Sequence, residues 1–140
     1  MSSSPTALSL GLLREMGYEA GVVERNVART VKIDFLGCVD IVAAHPAGGI
    51  LAVQATTSSN LAARVAKAQA EIRLITWLKS GGRFEAWGWS LRGARGRRKL
   101  WGVRRVRASL HGGGVIVFAE LSEHPAVGSP GALALVEVGE

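Results

Sequence analysis

The chain has 140 residues, enough for one domain with a real core, and its apolar share of 48% sets it apart from disordered chains. Seventeen Lys and Arg against eleven Asp and Glu leave a net charge of +6, which favours an anionic partner, nucleic acid foremost. One cysteine excludes an internal disulfide framework, and no apolar run reaches the length of a membrane span.

In chain order, residues 1–4 read as a loose tail. Proline is tolerated in a first helical turn, and Leu8, Leu12, Leu13 and Met16 lie near helical spacing, so a helix is predicted from Pro5 to Met16 and ended by Gly17. The N-terminus lacks the pattern of a secretory signal, and a cytoplasmic location is the expectation. Tyr18 to Val23 leads to Glu24 through a segment that fits either strand or loop. Val27 to Ile33 alternates weakly and reads as a short strand. Asp34-Phe35-Leu36-Gly37 reads as a bend.

Cys38 to Ala44 is apolar on both faces apart from Asp40, the pattern of a central strand. Cys38 within it reads as a buried, inert thiol. His45 to Gly49 is turn chemistry, and Ile50 to Thr56 is the partner strand. Asp34 and Asp40 are the only aspartates in the chain. A carboxylate inside a buried strand is costly unless something satisfies it, which makes this hairpin the first place to seek a site.

Thr57-Ser58-Ser59-Asn60 is a cluster of capping residues. Leu61, Val65, Ala68, Ile72 and Ile75 then predict a helix running to Lys79, with a break inside it left open. Asn60, Arg64, Lys67 and Glu71 form its polar face. Arg83 to Ser90 alternates fully and reads as a strand. Arg92 to Lys99 is a loop of glycine and arginine, and Leu100 to Leu110 is a further strand. Val115 to Leu121 is a candidate strand, and so is Ala132 to Val138 within an uncertain extension over 122–140. Eight of the seventeen basic residues fall between Arg92 and Arg107. Arg92, Arg95, Arg97, Arg98 and Lys99 read as phosphate contacts, with Arg64 as a further one. Trp87, Trp89 and Trp101 suit either base stacking or the core. The order predicts an α/β (α+β) fold of one domain, a mixed sheet flanked by helices, αβββαββ.

G-C-V-D-I-V-A over 37–43, a glycine turn, L-A-V-Q-A-T over 51–56 and a polar-capped helix together resemble the PD-(D/E)XK nuclease superfamily, in its small phage-nuclease or Holliday-junction-resolvase form. The resemblance spans roughly Leu8 to Leu110. It implies a restriction-endonuclease-like core and a metal-dependent endonuclease that hydrolyses DNA phosphodiesters, branched DNA such as Holliday junctions included. Magnesium or manganese would be the cofactor, DNA the partner, and a homodimer the assembly of the resolvase subclass. Asp40 takes the place of the family's aspartate. Gln54 stands at the acidic position of the next strand and Thr56 at the lysine position. Glu24 or Glu15 matches the glutamate contributed near the first helix.

The resemblance therefore implies Asp34, Asp40 and Gln54 as metal ligands, and Asp40, Gln54, Thr56 and Lys67 as the catalytic set. Asp34 would restore the carboxylate that Gln54 lacks, and Lys67 or Arg64 would restore the missing cation. The alternative is a nuclease-fold protein that has lost its chemistry and serves as a DNA-binding or structural module. His45, His111 and His124 lack ligand spacing, and no phosphate-binding glycine loop or serine nucleophile elbow occurs.

Overall fold

The computed structural model describes residues 4–28 and 31–121, with backbone alone for 25–28 and 31–32. Helix α1 spans Pro5–Glu15. Ser4 caps it, its Oγ accepting the Ala7 N–H at 3.1 Å. Gly17 then turns the chain at φ +93°, the left-handed region that glycine enters without strain. Strands β1 (Glu19–Val22), β2 (Arg25–Ala28), β3 (Val31–Ile33), β4 (Ile41–His45) and β5 (Gly49–Thr57) follow. Helices α2 (Leu61–Gln69) and α3 (Ile72–Lys79) cross over to β6 (Arg83–Arg92), β7 (Leu100–His111) and β8 (Val115–Glu120).

The main sheet has six strands in the order β1-β4-β5-β6-β7-β8. All its pairings are antiparallel except β5 with β6, which run parallel because the two helices carry the chain back across the sheet. The protein is thus an α/β fold with a mixed sheet, as the pattern predicts. Two elements were not legible in the predicted order. Val27 to Ile33 is not one strand, because β2 and β3 form a separate two-stranded ribbon. The lead-in before Glu24 is the edge strand β1.

The sheet buries both faces. On one, Ile41, Ala43, Leu51, Val53, Trp87, Trp89 and Val103 pack against Leu13 and Met16 of α1 and the adjoining Tyr18. On the other, Ala52, Phe84, Ala86, Val106, Ala108 and Ile116 meet Leu61, Ala68 and Leu74 of the crossover helices. Alternation along each strand sorts residues to these faces.

The crossover is two helices rather than one. Glu71 breaks the run, its side chain accepting the Arg73 N–H at 3.1 Å as an N-cap. The break shifts the helical phase. Ile72, expected inward, is 75% exposed, and Leu74 is buried instead. The capping cluster also behaves unexpectedly. Ser58–Asn60 forms a 3₁₀ turn, and Ser58 Oγ donates to the Gly88 carbonyl at 3.3 Å rather than capping α2.

The candidate strand over Val115–Leu121 is β8. That over Ala132–Val138 lies outside the described residues. Among the described residues no helix is long and apolar enough to cross a membrane.

Candidate metal centre

Asp40 lies one residue before β4, at the point where three strands meet. Its backbone N–H donates to Val53 O at 3.0 Å, and its carbonyl accepts the Val23 N–H at 2.9 Å. Its carboxylate Oδ2 accepts the Ala55 N–H of β5 at 2.8 Å. The bend over Phe35–Val39 leads the chain into this position. Leu36 (φ 54°) and Gly37 (φ 74°) both take left-handed backbone there. Glu71 and Arg73 pack so closely over Gly37 that a Cβ would collide with both side chains.

The same bend carries Asp34, and the exit from β1 carries Glu24. Carboxylate oxygens of Glu24, Asp34 and Asp40 lie within 4.8 Å of one another. Asp40 is buried, and the other two are half-buried. All three line a cavity of about 260 Å³, together with Thr6 of α1, Ala55 of β5 and Arg64 of α2. Burial, first of all, pushes the Asp40 carboxyl up to about 6. The negative charges of Asp34 and Glu24 push the same way, while the Ala55 N–H and the Arg64 guanidinium oppose them.

Three converging carboxylates are a hard oxygen donor set, the kind that suits magnesium or manganese. A cation among them would offset the mutual repulsion that adds to the effect of burial on Asp40. Asp40 brings a separate indication. It is 6% exposed yet faces a cavity, where a buried ion needs a counter-charge.

Of the residues singled out in the sequence, Asp34, Asp40, Glu24 and Arg64 come together here. Glu15 is exposed at the far end of α1 from Thr6. Gln54 follows Val53, whose carbonyl accepts the Asp40 N–H, but is fully buried and does not line the cavity. Its amide satisfies both neighbours when Nε2 donates to the Cys38 carbonyl (3.2 Å) and the oxygen accepts from Arg64 Nη1 (3.3 Å). Gln54 thereby holds Arg64 toward the acids. Thr56 is buried and Lys67 exposed, and neither lines the cavity. Cys38 is fully buried and its thiol is pushed up to about 12, chiefly by burial.

The arginine loop leaves the same end of the molecule. β5 and β6 run parallel with Thr57 opposite Trp89, so the C-terminal end of β6 lies beside the Ala55 end of β5. From Trp89, β6 runs three residues further to Arg92, on the order of 10 Å. Arg95, Arg97, Arg98 and Lys99 are exposed in the turn to β7, with Leu100 and Trp101 exposed beside them. Trp87 and Trp89 are core residues. Their indole N–H groups donate to Glu85 Oε1 (2.8 Å) and Ser9 Oγ (2.9 Å).

No family model, curated protein or solved structure matches the chain. What the fold and site define together is an α/β protein with a mixed six-stranded sheet and a recessed acidic triad.

Proposed function

We propose that the protein is a metal-dependent endonuclease that hydrolyses DNA phosphodiesters, branched DNA included. The observation that carries this reading is the convergence of Glu24, Asp34 and Asp40 on one cavity beside Arg64. In this reading Asp40 is the central ligand, anchored by the Ala55 N–H, and Glu24 and Asp34 supply the negative charge that Gln54 lacks. A divalent cation bound there would polarise a phosphate oxygen and lower the pKa of a bound water. Arg64 takes the part of the missing lysine, placing positive charge against the phosphate while Gln54 fixes its orientation. The exposed cations of the β6–β7 loop would bind the phosphate backbone at the same end of the sheet, as their charge and exposure suit.

The test is cleavage of labelled duplex and four-way-junction DNA with magnesium or manganese. Cutting is expected with the cation, none in chelator, and a loss of at least 100-fold in Asp40→Ala. Metal-dependent cutting that survives Asp40→Ala would reject the site. A second reading keeps DNA binding without hydrolysis. It is favoured by the absence of the family's strand-borne acid and lysine, since Gln54 and Thr56 stand there. Calorimetric titration separates the two, because that reading requires DNA binding with no uptake of magnesium or manganese.

A further inference from the structure

The chain has four tryptophans, and three of them are tied into the fold through the indole N–H. Trp77 donates to the Arg83 carbonyl at 2.9 Å, Trp87 to Glu85 Oε1 at 2.8 Å and Trp89 to Ser9 Oγ at 2.9 Å. Trp101 is the exception. It is 42% exposed, and its indole N–H has no hydrogen-bond partner among the described residues. Tryptophan is highly buried on average, so a ring left in solvent is unusual.

Strand register fixes where this ring stands. Leu91 of β6 pairs with Trp101 of β7, so the two side chains share one face of the hairpin. Trp89, two residues before Leu91, lies on that same face and packs against α1. Leu91 and Trp101, both exposed, continue the apolar face past the part that α1 covers. Ala55, which lines the acidic cavity, is level with Trp87 on this face. Four residues of strand separate Trp87 from Leu91, which places the Leu91–Trp101 pair roughly 15 Å from Ala55.

Beyond the pair, the hairpin carries Arg95, Arg97, Arg98 and Lys99, all exposed. The apolar side chains therefore sit on the flank of the hairpin and the charges at its tip. A hairpin built to enter lipid would carry them the other way round, because charge is costly to bury. Charge complementarity selects an anionic polymer that also offers a flat apolar face, which is a nucleic-acid strand with a base out of the helical stack.

We propose that Trp101, backed by Leu91, is a stacking platform for an unpaired base, and that the substrate is DNA containing unpaired nucleotides rather than intact duplex. This names the substrate class of the nuclease reading above and rests on it. In an intact duplex each base is stacked on both sides and has no free face to offer. The span from the platform to the cavity matches about four nucleotides of one strand, so a base on Trp101 and a phosphate at the acids can belong to the same strand. The cations at the tip hold phosphates beyond the stacked base.

The experiment uses the full chain, once in chelator and once in calcium, a hard cation that takes the same oxygen ligands. Affinity for fluorescent oligo(dT) is measured by anisotropy at low salt, with relaxed circular duplex, which has no ends, as competitor. Trp101→Leu keeps the apolar cover and loses the ring face. It is expected to bind oligo(dT) about 5- to 100-fold more weakly, with binding of the circular duplex unchanged. Trp101→Phe should keep most of the affinity. Oligo(dT) should also quench tryptophan emission in wild type and far less in Trp101→Phe, and this carries the test if Trp101→Leu does not fold. Arg95→Gln/Arg97→Gln/Arg98→Gln should weaken both substrates together. If Trp101→Leu matches wild type on oligo(dT), or loses both substrates equally, the platform is rejected and the nuclease reading stands. The platform is also rejected if the ring proves to be covered by a second copy, read as a dimer in light scattering that Trp101→Leu dissociates. Trp101-dependent binding to vesicles of anionic phospholipid, with no quenching by oligo(dT), rejects it as well. If the wild type binds neither DNA at low salt in either condition, the nuclease reading fails and the platform with it.

Discussion

Two clusters of charge interrupt the same sheet, and they are built differently. At the mouth of the sheet, Glu24, Asp34 and Asp40 face one half-buried guanidinium across a cavity. Within the core, Glu85 and Arg105 are wholly buried. Glu85 Oε2 accepts from Arg107 Nε (3.2 Å) and Nη2 (3.0 Å), and its Oε1 accepts the Trp87 indole N–H. Arg105 Nη1 lies 3.9 Å from the same carboxylate, and its guanidinium sits over the Trp87 ring. Burial lowers the Arg105 pKa from its ordinary value, and Glu85 opposes that shift. The Glu85 carboxylate is surrounded by donors already in place. The acidic triad stands at the edge of a cavity with one guanidinium against three carboxylates.

The difference can be tested from its larger effects to its smaller. Glu85→Ala removes the carboxylate shared by Arg105 and Arg107, and should cost about 3–5 kcal/mol in urea unfolding, with no change in cation affinity. A loss below 1 kcal/mol would show that the core cluster is not the structural one.

Asp40 gives the opposite sign. Its carboxyl is raised from 3.8 to about 6, so between these values the folded chain binds more protons than the unfolded one. Stability must then fall as pH rises through that window, by up to about 3 kcal/mol by pH 7. Unfolding curves from pH 4 to 8 should show the fall in wild type and not in Asp40→Asn, and magnesium or manganese should restore stability at pH 7. Gln54→Ala leaves the Cys38 carbonyl and Arg64 without their shared amide, and should cost about 1–3 kcal/mol while loosening Arg64. Unchanged stability together with unchanged cleavage would remove Gln54 from the site's support. The smallest effect is expected for Arg95→Ala/Arg97→Ala/Arg98→Ala. Exposed side chains of this kind change stability by about 0.5 kcal/mol or less, so the variant should differ from wild type only in salt-dependent DNA binding.

Much of the architecture was legible because most strands of the main sheet mark themselves locally. Arg83 to Ser90 alternates, and Cys38 to Ala44 is a short apolar run bounded by turn residues. The break at Glu71 was not legible. Neither proline nor glycine marks it, and the apolar spacing runs on through Ile72 as though the helix continued. What decides it is distant: the bend at Gly37 offers a surface on which the Glu71–Arg73 pair packs. The pair's strength shows in Glu71, whose carboxyl the Arg73 hydrogen bond lowers to about 2. Asp40 stood out as a lone carboxylate in an apolar run. Glu24 was visible only as one of two candidates, because its selection depends on β1 pairing with β4, a contact across some twenty residues that local spacing does not encode. Arg64 over Lys67 was open for the same reason. Both lie on the polar face of one helix, and only the buried amide of Gln54 distinguishes them.

The single parallel junction between β5 and β6 has a consequence for how the chain assembles. It divides the sheet into two antiparallel halves, β1-β4-β5 and β6-β7-β8, each closed by connections within its own stretch of sequence. The seam between them can form only after α2 and α3 have brought the chain back, so it bears the largest loop-closure entropy in the main sheet. Thr6, Glu24, Asp34 and Asp40 precede that seam, Ala55 lies on it in β5, and Arg64 lies in the crossover helix α2. The three carboxylates belong to the first half to leave a ribosome, and the arginine loop to the second. Joining the halves is the step that sets the loop at the same end of the sheet as the acids.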